Sequence, residues 1–125
     1  DLVARLQVDE RIALAEVTPR LARELEVFEP CGAGNPRPLF AVLGAGLAGT
    51  PRLMGKEEKH LCFFARQGKS SCRVVGFNAA AHFNELCELG QGEQLDIAFR
   101  PKLNSAFGET AVELMLEAFR RSDGQ

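Results

Sequence analysis

The chain has 125 residues, is 46% hydrophobic and carries a formal charge of −2 at neutral pH. That length supports one domain with an appendage, and enough apolar surface to build a core without covalent staples. The acidic balance argues against a strongly basic, autonomous nucleic-acid binder, and the apolar runs are too short to cross a bilayer.

Residues 1–17 contain two short apolar pieces, Leu2–Val8 and Ile12–Val17, and read as the tail of a preceding domain. The chain begins mid-pattern at Asp1-Leu2-Val3, as a fragment of something longer would. Thr18-Pro19 is a helix start, since Thr caps and Pro fits the first turn. Leu21, Ala22, Leu25 and Phe28 recur at helical spacing, which predicts a helix to about Phe28. The next stretch is Pro30-Cys31-Gly32-Ala33-Gly34-Asn35-Pro36-Arg37-Pro38-Leu39-Phe40. Its glycines permit unusual backbone angles and its prolines remove donors, so it is neither helix nor central strand. A glycine pair before an Asn can cradle a phosphate. No Lys-Ser/Thr follows, however, and no helix pattern opens after it, so the reading is a rigid elbow. Asn35 then bonds its own loop backbone. The boundaries are a connecting segment over 1–38 and a domain over 39–121.

After the elbow the apolar period becomes two. Leu39–Leu47 is a strand rich in small residues, bent at Gly44 and Gly46, that resumes at Arg52-Leu53-Met54. Gly55–Lys59 is a charged turn. His60–Arg66 and Ser71–Phe77 are strands joined by Gln67-Gly68-Lys69-Ser70, with Gly placed for a type II′ hairpin turn. Asn78 is positioned to cap a helix over Ala79–Leu89, with Ala79, Ala80, Phe83, Leu86 and Cys87 on one face and Gly90 ending it. Leu95, Ile97, Phe99 and Leu103 alternate with Asp96, Ala98, Arg100 and Lys102 in a half-buried strand. Asn104–Gly108 is a turn, and Val112, Leu114 and Leu116 alternate with Glu113, Met115 and Glu117 in the last strand. The order β-β-β-α-β-β is that of an OB-fold: mainly β, a five-stranded Greek-key barrel with a helix between strands three and four. Other small barrels share that order.

The elbow sequence resembles the Pro-Phe-Gly-x-Gly-Asn-Pro-x-Pro-x-Phe signature of RecJ-type single-stranded-DNA-specific exonucleases, with Cys31 where that family has Phe. Three further matches follow in order. Gly55-Lys56-Glu57-Glu58-Lys59-His60-Leu61 resembles a Gly-Lys-x-x-x-His segment. Val74-Val75-Gly76-Phe77 resembles an apolar strand ending in Phe. Arg100–Gly108, with Asn104, resembles an Arg-x-x-x-Asn-x-x-x-Gly hairpin. The resemblance covers about residues 8–119. It implies the C-terminal OB-fold domain of an exonuclease that degrades single-stranded DNA from the 5′ end in repair and recombination. It also implies a divalent metal, Mn or Mg, held by Asp and His motifs in other domains of the parent. This fragment is expected to carry no cofactor of its own. Its expected partners are single-stranded DNA and the catalytic domains of the same parent chain, with no membrane and a monomeric state.

The hairpin register follows from the turn. With Gly68-Lys69 central, Gln67 pairs with Ser70, Ala65 with Cys72 and Phe64 with Arg73. Leu61, Phe63 and Ala65 then share a face with Cys72 and Val74. The opposite face holds His60, Cys62, Phe64 and Arg66 beside Arg73, Val75 and Phe77. OB-folds bind single strands on this pair of strands and the nearby loops, by stacking on aromatics while cations track phosphates. With no Trp or Tyr in the chain, stacking falls to Phe or Arg.

The candidate DNA-binding residues are therefore Phe64, Arg66 and Arg73 on this face, Lys56, Lys59 and His60 at the charged turn, and Arg100, Lys102 and Asn104 beside the last hairpin. Between residues 50 and 102, eight Lys/Arg face six Asp/Glu, so this region is locally basic in an acidic chain. Two readings stay open: an exposed binding face, or Phe64 and Phe77 packed beneath another segment. Catalysis is not visible. No Asp-His-His occurs, and Asp96, Glu113 and Glu117 do not cluster with His60 or His82 as a two-metal site requires. Cys31, Cys62, Cys72 and Cys87 form no C-x-x-C pair, so zinc spacing is absent. Free thiols in a reducing cytosol, hence a cytoplasmic protein, are expected. The function is then either a DNA-guiding domain or a protein-interaction domain that closes the ring of the parent enzyme.

Overall fold

The computed structural model describes residues 8–25, 38–89, 92–104 and 111–122. Seven strands occur in it: β1 Glu10–Arg11, β2 Phe40–Leu47, β3 Arg52–Met54, β4 His60–Gln67, β5 Ser70–Gly76, β6 Leu95–Asn104 and β7 Ala111–Arg121. Two α-helices accompany them, α1 Pro19–Leu25 and α2 Phe83–Cys87. Cys31 and Asn35 of the elbow, the helix end expected at Phe28, Gly90 and the turn carrying Gly108 lie outside the described residues.

Five strands close a ring. β2 pairs with β6, β6 with β7, β7 with β5, β5 with β4, and β4 returns to β2 through Gly46↔Arg66 and Leu47↔Ala65. All these pairings are antiparallel except β5–β7, which is parallel. This is the OB-fold barrel. β1 adds in parallel to the start of β2, and β3 adds to the start of β4.

One strand can serve two neighbours only if it bends. The β2–β6 register shifts between Val42 and Ala45, where Gly44 has φ +76°. That left-handed backbone suits glycine. The bulge turns β2 from β6 toward β4 and takes the Gly44 N–H out of the regular ladder. Asp96 Oδ1 accepts that N–H at 3.0 Å. The same carboxylate accepts from Arg120 Nε at 2.8 Å and from the Ser122 hydroxyl at 2.6 Å. Asp96 is consequently only 5% exposed, and the whole run Leu95–Phe99 is buried. Alternation had placed Asp96 on a solvated face; the bulge, Arg120 and Ser122 recruit it inward instead. Burial opposes its ionisation, but the hydrogen bonds from Ser122, Arg120 and Gly44, with the Arg120 charge, hold the carboxyl below its ordinary range.

The hairpin forms as its turn dictates. Gly68 has φ +62° while Lys69 stays out of the left-handed region, the type II′ pattern. Phe64 pairs with Arg73, Ala65 with Cys72 and Gln67 with Ser70.

Leu14–Leu25, part of the segment expected to be a connector, packs against the barrel core. Thr18 Oγ1 accepts the Leu21 N–H at 3.1 Å and starts α1 at Pro19. Leu14, Ala22 and Leu25 join Val42, Leu61, Phe63, Val74, Ile97, Phe99 and Leu114 in one buried cluster. α1 packs on β6 and β7, and the 3-10 turn Leu14–Glu16 on β4 and β5. Gln67 clips this segment down: its Oε1 accepts the Leu14 N–H and its Nε2 donates to Leu43 O, both at 2.8 Å.

The helix between β5 and β6 is shorter than its pattern predicts. A 3-10 turn, Ala80–His82, precedes the five-residue α2. Asn78 does not cap it. Its backbone is left-handed, at φ 57°, and its N–H donates to His60. Leu86 is buried in the core, whereas Cys87, expected on the apolar face, is exposed. Among the described residues, no helix is long and apolar enough to cross a membrane.

Candidate nucleic-acid interface

Side-chain alternation and strand register define an outer surface over β4, β5, β7 and β6. Phe64, Arg73, Glu113 and Lys102 form one row across the four strands. Cys62, Val75, Met115 and Arg100 form the next. Arg66, opposite Ser71, lies beyond the first row.

Phe64 is 41% exposed, so the packed alternative does not hold for it within the described residues. Its inward neighbours Phe63 and Ala65 are buried, as the separation of faces requires. Cys62 and Val75 point outward by alternation yet are buried. Part of the cover is Arg73, which lies across this surface: its Nε is 3.3 Å from Cys62 Sγ and its Nη2 3.5 Å from Met54 Sδ.

The cations of the face fall into two groups. Arg73 is ion-paired with Glu113, Arg100 with Glu117, and Lys59 with Glu57 at 3.0 Å. The Cys62 contact first, and then Glu113, hold the Arg73 guanidinium above its ordinary value against its burial. Lys56, Arg66 and Lys102 are exposed or half-exposed cations without an acidic partner among the described residues. Arg66 also borders a cleft of about 640 Å³ lined by Gly46, Gly49, Gly68 and Gln94. Asn104 is half-buried at the end of β6, opposite Ala111.

The turn before β4 is shaped around His60. Gly55 has φ +85°, and a Cβ there would meet His60 Cδ2 at 2.5 Å. The glycine thus supplies both the backbone angle and the room for the imidazole, which gives the Gly-Lys-x-x-x-His spacing a physical reason. Glu57 and Glu58 are left-handed, at φ 64° and 52°, an uncommon state for non-glycine residues. The loop is tied down where Lys59 O accepts the Ala80 N–H at 3.1 Å. His60 Nδ1 accepts the Asn78 N–H at 3.0 Å, so in the neutral ring the proton is on Nε2. The His60 ring packs edge-on against Phe77, with centroids 5.0 Å apart at 80°. Phe77 is 57% exposed. Sequence reasoning placed it on this face without counting it among the contacts; its position closing β5 next to a histidine was the available signal.

Among the described residues no three His, Cys, Asp or Glu side chains converge as a metal centre would need. Asp96, Glu113 and Glu117 each hold an arginine instead. Burial pushes the Cys72 thiol up to about 11, against a hydrogen bond from the Arg73 backbone and with Glu113 adding to the rise. The neutral thiol donates to Val112 O at 3.2 Å.

The family model described as the RecJ OB domain matches residues 8–118. The chain belongs to this RecJ OB domain family. No curated protein sequence matches it. Among solved structures it is similar to RecJ from Thermus thermophilus in complex with Mn²⁺, at 26% identity and a TM-score of 0.62, over 98% of this chain and 18% of that one. It is also similar to asparaginyl-tRNA synthetase from Pyrococcus horikoshii, at 18% identity and TM-score 0.57, over 91% of this chain and 22% of that one. The SSB domain of a Synechococcus protein matches at 19% identity and TM-score 0.52, over 66% of this chain and 92% of that one. The last two show the shared fold. The RecJ OB domain spans about a fifth of the length of the RecJ and synthetase structures it matches.

Proposed function

We propose that this RecJ OB domain binds single-stranded DNA on the outer surface of β4 and β5. There it guides the strand toward catalytic domains of a longer, cytoplasmic RecJ-like exonuclease acting 5′ to 3′ in repair and recombination. The divalent metal of that parent would belong to those other domains, and the domain itself would act as a monomer.

The observation that carries this reading is Phe64, an aromatic 41% exposed on a barrel strand and paired opposite Arg73. Two residues along the same strand is Arg66, which has no acidic partner among the described residues. An exposed ring stacks on any base, and flanking cations follow the phosphates. The test is competition. A labelled single strand bound to the chain should be displaced by unlabelled single strand far better than by duplex of the same sequence, because only the former offers free base faces. Equal displacement by both would refute the reading.

The rival, a protein-interaction domain that closes the ring of the parent enzyme, draws on a separate observation. Three of the candidate cations, Arg73, Arg100 and Lys59, are already matched by acidic side chains, in a chain of net charge −2.

A further inference from the structure

We propose that Phe77 is a second stacking position for an unpaired nucleobase and that His60 is its positioning residue. This inference rests on the single-strand reading above and extends it to the far end of β5. Among the described residues, Phe77 is the most exposed of the large hydrophobic side chains, at 57%. An aromatic ring on a turn would ordinarily sample many orientations, but this one is held. His60 packs its ring edge-on at 5.0 Å. His60 is itself secured by the Asn78 N–H on Nδ1 and by the close approach of Gly55. A ring oriented before binding loses less freedom when a base stacks on it.

Two neighbours favour a nucleotide over an apolar protein segment as the occupant. Lys56 follows Gly55 directly and is exposed, without an acidic partner among the described residues, so the loop that abuts His60 carries a cation. A cleft of about 450 Å³ opens next to the ring, its polar lining formed by Asn78, His82, Glu85, Glu117, Arg120 and Arg121, with His82 edge-on to Phe119 at 5.7 Å. The surface is continuous with the Phe64 face, because His60 and Phe64 lie on the same side of β4. Phe77 lies four positions beyond Arg73, the partner of Phe64, which is about 13 Å at the strand rise of ~3.3 Å per residue. Stacked neighbouring bases are about 3.4 Å apart. The two rings therefore serve bases that are not adjacent.

In this proposal His60 acts through Phe77.

The test places 2-aminopurine at successive positions of a single strand bound to the 125-residue chain, reading its fluorescence together with affinity. The wild type should quench it at two separated positions. Phe77→Ala and Phe77→Leu should each remove one of them and weaken binding about tenfold, within the usual range for a stacked base. The other position should answer only to Phe64→Ala. His60→Ala should weaken the same signal as Phe77→Ala. His60→Phe, which keeps a ring edge but loses the Nδ1 acceptor of the Asn78 N–H, should restore it in part.

Retention of both quenched positions and of full affinity in the two Phe77 variants would overturn the proposal and leave Phe77 to a protein contact. Full affinity and both quenched positions in His60→Ala would overturn the positioning role. A wild type that quenches at no position would remove the single-strand reading and this proposal with it. Thermal melts of each variant separate these outcomes from misfolding.

Discussion

Arg73 and Glu113 stand directly opposite each other across the parallel β5–β7 pair, and their side chains form an ion pair. The cation at the centre of the proposed binding face is thus engaged by a carboxylate that a phosphate would have to displace. Glu113→Gln should release that competition. Affinity for a single strand should rise several-fold at low salt, with a steeper salt dependence, because one more cation becomes available. Fluorescence anisotropy against a labelled oligonucleotide checks this. Unchanged or weaker binding in a folded Glu113→Gln variant would show that Arg73 contributes no charge to the interface.

Phe64→Ala should cost roughly 1–3 kcal/mol of single-strand affinity, the range for removing one base stack. The ring is 41% exposed on a surface whose inward neighbours make the core, so the melting temperature should move little. A variant that binds normally, or one that unfolds, would contradict the face assignment.

Asp96→Ala should destabilise the barrel by roughly 2 kcal/mol, since it removes the hydrogen bonds from Arg120 and Ser122 and leaves the Gly44 N–H without its acceptor. The folded carboxyl lies below its ordinary value, so its contribution is fully present above the unfolded value, about 3.9, and is lost as pH falls through the folded one. Melts of wild type and variant should therefore differ most near neutrality, and the gap should begin to narrow only below roughly pH 4. A constant gap across that range would assign the effect to packing alone.

Thiol labelling offers an independent check of the fold. Cys87 is exposed, Cys62 is buried, and burial pushes the Cys72 thiol up to about 11. Iodoacetamide followed by peptide mapping should modify Cys87 before Cys62 and Cys72, which react only on unfolding. Early reaction at Cys72 would contradict the packing of β5 against β7.

Much of this could be read from local signals. The Gly68-Lys69 turn set the hairpin register, and with it the pairing of Phe64 with Arg73, because a two-residue loop leaves little freedom. Gly44 announced the bend of β2. The features that were not legible depend on partners distant in sequence. Asp96 looked like the polar half of an alternation, since nothing near it reveals that a bulge in another strand offers it an N–H. Arg73 and Glu113 are 40 positions apart and meet only through the parallel β5–β7 register, which element order does not specify. Arg100 meets Glu117 in the same way, across β6 and β7. The packing of Leu14, Ala22 and Leu25 into the barrel was hidden because an amphipathic helix does not name the surface it will cover. Gly55 had a visible motif, but its reason, the space needed by the His60 ring, appears only in three dimensions.

The most direct test of the central claim is a salt titration of single-strand binding by the wild-type chain and by Arg66→Ala, a cation of the face with no acidic partner among the described residues. The account predicts weak but measurable binding at low salt that falls as salt rises. The slope of log affinity against log salt should be shallower by about 0.7 in Arg66→Ala, the loss of one phosphate contact on a single strand. Binding that is undetectable at low salt, or that is insensitive both to salt and to the loss of Arg66, would contradict it and leave the protein-interaction reading in its place.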